Sequence, residues 1–130
     1  MASILKVDTL TGVSTAGSIS VTGEGNSTTT NLQQGLAKHW AQFNQTSTQT
    51  LNDSLNCSGI ADNGDGSTVL TFANNMASVN FSAQCEHSDN QMNTAALTKT
   101  TSTYRVDARN DAGTFQDKGD YGTLVHGDLA

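Results

Sequence analysis

Three groups of residues in this chain have types that carry chemistry in other proteins. The first is Asp62-Asn63-Gly64-Asp65-Gly66. It has the oxygen donors of a calcium loop, but Gly64 occupies a ligand position and no Glu follows at the required distance. Apolar runs flank it, so a β-hairpin turn is the expected reading. The second group is His39, His87 and His126 together with Cys57 and Cys85. Structural zinc takes about four N or S ligands at paired spacing. Only Cys85-Glu86-His87 brings two such residues close, so no metal and no cofactor are expected. The third group is acidic: Asp107, Asp111, Asp117 and Asp120, with Arg105, Arg109 and Lys118 nearby. A carboxylate pair can hydrolyse glycosides, but aromatic residues for stacking sugars are scarce and surface loops account for the charges. There is no nucleophile elbow and no phosphate-binding glycine loop. The expectation is a protein that is not an enzyme, with a small hydrolase ranked last.

Aromatic residues pose a separate choice. Trp40, Tyr104 and Tyr121 would suit a carbohydrate-binding module or adhesin that meets a host surface glycan. A single Trp in a small β domain more often anchors the core. The expected core is therefore Trp40, Phe43, Leu55, Leu70, Phe72, Phe81, Tyr104 and Val106. Cys57 and Cys85 permit one disulfide at most, and buried free thiols are expected.

Composition narrows the class. The chain has 130 residues, enough for one domain and a small appendage. Hydrophobic residues are 35% and charged residues 14%, so the remainder is largely Ser, Thr, Asn, Gly and Gln. Such a mixture favours strands and turns. Six Lys plus Arg against twelve Asp plus Glu give a net charge of −6. Too few cations exist to neutralise a phosphate backbone, which excludes nucleic acid as the main partner. Anionic lipid is disfavoured for the same reason. No apolar run approaches ~20 residues, so no membrane-spanning helix is expected. The opening residues lack the pattern of a secretory signal. The product is expected to be made and kept in a cytoplasm, or to leave it by lysis.

Next come the elements that must position these residues. Ile4–Leu10 and Ser18–Thr22 read as short strands, separated from the rest by a polar stretch through Thr30. Two short apolar runs cannot form a core alone. Residues 1–30 are therefore expected to be an attachment arm, with Ile4, Leu5, Val7, Leu10, Ile19 and Val21 as its contacts. Residues 31–130 form the domain. Asn31–Asn44 fits helix or strand; a helical turn near Leu32–Gly35 and then a strand over Leu36–Asn44 is favoured. Further strand signals cover Leu51–Ala61, Ser67–Ala73, Val79–Cys85, Ala95–Lys99, Thr103–Arg109 and Tyr121–Asp128. Val79, Phe81, Ala83 and Cys85 are expected inward, as are Tyr104, Val106 and Ala108. Short strands with a turn every ten or so residues point to an all-β fold, a small antiparallel β-sandwich, jelly-roll-like, with an extended N-terminal β arm. The chain has no Pro to block pairing at strand edges, so partner subunits are expected to cover them.

The opening Met1-Ala-Ser-Ile-Leu-Lys-Val-Asp-Thr-Leu10 resembles that of short tail-fibre and virion-associated proteins of marine tailed bacteriophages. Gly35–Asn44, Asp53–Asn56 and Ile60–Gly66 are similar to the compact β-domain that follows in that group. Together the likeness covers about half of the chain; after Phe81 it is one of pattern only. It implies a non-enzymatic virion part, with other virion proteins of capsid, tail or fibre as partners and a homotrimer as its assembly. It supplies no catalytic residues.

Overall fold

A computed structural model of the chain describes residues 4–13, 18–22, 29–88 and 92–130. The chain divides into two compact units, Met1–Gly35 and Leu36–Ala130. In the first, β1 (Ser20–Thr22) pairs antiparallel with β2 (Thr29–Asn31), and one helical turn, α1 (Leu32–Gly35), follows. Asn31 Oδ1 accepts the backbone N–H of Gln34 at 3.0 Å, an N-cap bond that starts this turn. β2 pairs back onto β1, so residues 29–35 fall in the first compact unit. The strand expected over Ile4–Leu10 is not formed. Its apolar residues are split between both faces, and no strand partner lies beside it among the described residues.

The second unit is a β-sandwich. Its strands are β3 (His39–Asn44), β4 (Thr50–Leu55), β5 (Cys57–Asp62), β6 (Ser67–Phe72), β7 (Ser82–His87), β8 (Met92–Leu97), β9 (Thr103–Asn110) and β10 (Tyr121–His126). One sheet has the order β4-β3-β10-β7 and the other β5-β6-β9-β8; every pairing is antiparallel. The first and last sandwich strands, β3 and β10, lie side by side at the centre of one sheet. The expected turn at Asp62–Gly66 closes the β5–β6 hairpin, with Gly64 and Gly66 at φ of 99° and 63°.

The two inner faces make the core. Ala41, Phe43, Tyr121 and Val125 come from one sheet; Leu70, Phe72, Tyr104, Val106 and Ala108 come from the other. Phe43 stacks on Tyr121 at 5.3 Å and Phe72 on Tyr104 at 5.4 Å. Phe81 closes the cluster against Phe72. Six of the eight expected core residues, Phe43, Leu70, Phe72, Phe81, Tyr104 and Val106, are buried as read.

Trp40 and Leu55 are corrections. Along β3 burial alternates strictly, so His39, Ala41 and Phe43 point inward and Trp40 must point outward. Leu55 is 47% exposed. The cause is a bulge: Gln42 pairs with Asp53 but Phe43 pairs with Leu51, leaving Asn52 as an extra residue. One added residue reverses the face of everything beyond it. Leu51 and Ser54 are then the partly buried positions and Leu55 joins Trp40 on the outer face. Val79, expected inward, lies before β7 and is exposed.

The expected segment Leu51–Ala61 is likewise divided. The chain passes from one sheet to the other at Asn56, whose φ is 55°. Asn tolerates this left-handed conformation better than most residues. Its side chain donates to the carbonyls of Lys38 and Asn74 at 3.0 and 3.1 Å and accepts the N–H of Asn74 at 2.6 Å. A second bulge, at Ser58, follows directly.

Candidate functional site

The outer face of the β4-β3-β10-β7 sheet carries an open cleft. Period-2 alternation decides which side chains stand on it. The register then sets them in rows across the strands. Leu55, Trp40, Leu124 and Gln84 form one row, since Trp40 pairs with Leu55 and with Leu124, and Leu124 pairs with Gln84. Asp53, Gln42, Gly122 and Glu86 form the next. A cleft of about 830 Å³ lies here, lined by Trp40, Gln42, Gln84, Glu86, Gly122 and Leu124 among others.

The first row is apolar over three strands and ends in an amide. Leu55 and Leu124 are exposed, and Trp40 is half-buried between them. The second row is polar around a glycine. A Cβ on Gly122 would come 2.9 Å from Glu86 Oε1 and 3.1 Å from its Cγ. The absent side chain thus lets Glu86 lean across the middle strand. Opposite it, Gln42 donates to Asp120 Oδ1 at 3.3 Å, which orients the amide. The arrangement presents one aromatic ring, an aliphatic border, two amides and a carboxylate. It can offer stacking and hydrogen bonding.

The residues singled out in the sequence lie mostly elsewhere. Tyr104 and Tyr121 are fully buried, so they form no platform with Trp40. Ile4, Leu5, Val7, Leu10 and Val21 are exposed in the arm and Ile19 is half-buried. The acidic group is dispersed in structural roles. Asp107 is buried; its carboxylate meets Arg105 at 2.8 and 2.9 Å and accepts the Ser67 hydroxyl at 2.8 Å. Asp117 accepts the backbone N–H of Gly66 at 2.6 Å. Asp120 is held to Gln42, and Asp111 stands exposed on the loop after β9.

The histidines are also apart. His39 is buried on β3, with Nδ1 3.2 Å from the Asn56 carbonyl and Nε2 2.8 Å from the Tyr104 hydroxyl. Burial holds its pKa below the ordinary value of 6.5, so the ring is neutral at neutral pH. On β7, Cys85 and His87 point inward while Glu86 points outward. Burial pushes the Cys85 thiol up to about 11, against a smaller opposing pull from Lys99, and raises Cys57 as well. Neither cysteine is in a disulfide. Among the described residues no three His, Cys, Asp or Glu side chains gather as a metal would require, and no helix is long and apolar enough to cross a membrane.

Sequence reasoning missed Gln42, Gln84, Glu86, Gly122 and Leu124. Each sits at an alternate position of a strand that was recognised. Their convergence depends on β3, β10 and β7 being neighbours, which no local pattern encodes. No protein-family model matches the chain, and no curated protein or solved structure matches it.

Proposed function

We propose that the chain is a non-enzymatic structural protein of a bacteriophage particle: a short tail fibre, a capsid decoration or head fibre, or a tail adaptor. In this reading the N-terminal unit docks on another virion protein, and the sandwich associates with copies of itself as a homotrimer. The carrying observation is the exposure of Ile4, Leu5, Val7, Leu10 and Val13, at 78, 81, 55, 56 and 96%. Five large apolar residues within ten positions are costly to leave in water, and such stretches commonly mark interaction segments. A segment that forms no strand of its own among the described residues can add one to a partner sheet. The sandwich supports the reading from the other side, because it holds its own aromatic core. The phage-like opening residues supply the class of partner.

The test is deletion of residues 1–35. The remaining chain is expected to melt cooperatively and to be absent from purified particles, while the full chain is found in them by mass spectrometry. Incorporation of the truncated chain at the full-length level would refute the docking role. Light scattering of the full chain is expected to give the mass of a trimer.

A further inference from the structure

The outer cleft is built from residues that the arm-docking reading leaves unused. Its ligand class follows from its chemistry. Trp40 is half-buried, and Leu55 and Leu124 flank it, so the indole is held against the sheet with part of its surface presented. A held aromatic face recognises another flat apolar surface at small entropic cost. The adjoining row offers groups that both donate and accept, Gln42 and Gln84, and one strong acceptor, Glu86. Glu86 lies over Gly122 at the middle of the cleft.

Three ligand classes fit poorly. The cleft lining contains no Lys or Arg, so a phosphate or nucleotide would meet a carboxylate with no cation. Within the cleft, a peptide adding itself as a strand would pair only along the open edge of β7, away from Trp40, because β3 and β10 are paired on both sides. A purely apolar ligand would bury the polar ends of Gln84 and Glu86 without giving them partners. A ring with one C–H face and a rim of hydroxyls satisfies all of the groups present.

We propose that this cleft binds a pyranose ring of a glycan, stacked on Trp40 and hydrogen-bonded through Gln42, Gln84 and Glu86. Glu86 accepts from a sugar hydroxyl, and the amides each donate to one hydroxyl and accept from another. With one aromatic ring and an open cleft, the affinity for a single sugar falls in roughly the millimolar range.

Trp40 is the only tryptophan in the chain, so its emission reports this site directly. The experiment titrates the full-length protein with the methyl pyranosides of glucose, galactose, mannose, rhamnose and N-acetylglucosamine, and with oligosaccharides released from bacterial lipopolysaccharide. At least one probe is expected to shift the emission saturably. The exposed substitutions Gln84→Ala and Glu86→Ala are expected to leave the melting temperature unchanged and to weaken that probe about tenfold each. No saturable shift with any probe would overturn the proposal, as would a shift undiminished in both variants. An emission change that tracks protein concentration without sugar would overturn it too, by marking the face as a contact between copies. None of these outcomes bears on whether residues 1–35 dock on a particle.

Discussion

The hydroxyl of Tyr104 on β9 lies 2.8 Å from Nε2 of His39 on β3, so a hydrogen bond joins the two sheets through the core. Nδ1 faces the Asn56 carbonyl, which must accept, so Nδ1 carries a hydrogen. The Tyr104 oxygen is also 2.8 Å from Thr123 Oγ1 on β10. Both ring nitrogens of the buried imidazole thus have a hydrogen-bond partner.

A pH dependence follows. Unfolded, His39 titrates near 6.5; folded, burial keeps it below that value. Between the two the unfolded chain binds more protons, so stability rises with pH there. Lowering the pH from 7 toward 5 is expected to lower the melting temperature. His39→Gln is expected to cost about 2 kcal/mol at neutral pH and to flatten this part of the profile. An unchanged slope in the variant would assign the dependence to other groups.

Gly66 is the tightest backbone position of the β5–β6 turn. It has φ of 63°, and a Cβ there would stand 2.5 Å from Gln116 N and 2.6 Å from Ala108 O. Backbone cannot move aside as a side chain can. Gly66→Ala is expected to destabilise by about 3 kcal/mol or more. Gly64, at φ of 99° with nothing within 4 Å of a Cβ, bears only the conformational cost. Gly64→Ala is expected to cost about 1 kcal/mol. Urea midpoints of the two variants check the difference.

At Asn56 the amide, not merely the small size, holds the corner. Asn56→Asp keeps the oxygen that accepts from Asn74 but turns an acceptor toward the carbonyls of Lys38 and Asn74. It is expected to lose about 2–3 kcal/mol, more than Asn56→Gly, which retains the positive φ and leaves room for water. Thermal melting at pH 7 gives the order.

Burial raises the pKa of both thiols, so little thiolate is present in the folded state at pH 8. Ellman's reagent is expected to react slowly with the native protein and to titrate both cysteines at once in urea. Rapid native labelling would contradict the packing of Cys85 in particular.

Much of the fold was legible because its signals are local. The alternation in Thr103–Arg109 correctly placed Tyr104, Val106 and Ala108 inside. Asn63 and Gly64 marked a hairpin turn because few residues other than glycine and asparagine tolerate the backbone it needs. Over Asn31–Asn44 helix and strand were both open; the structure has the favoured helical turn at Leu32–Gly35, and its strand starts at His39, not at Leu36. Leu55 was misplaced because a bulge is one residue of excess, visible only once β4 is set against β3.

By itself, then, the sequence determined the class of structure: thin in apolar residues and rich in β-branched and turn residues, it is all-β. It also determined which residues alternate on each strand, since side-chain direction in a strand is a local property. Tertiary structure alone decided which strands became neighbours. That choice buried Tyr121, turned Trp40 outward, and set Gln42, Gly122 and Glu86 in one row. Pairing order is settled by how two whole faces fill one core, a global condition that no single segment carries.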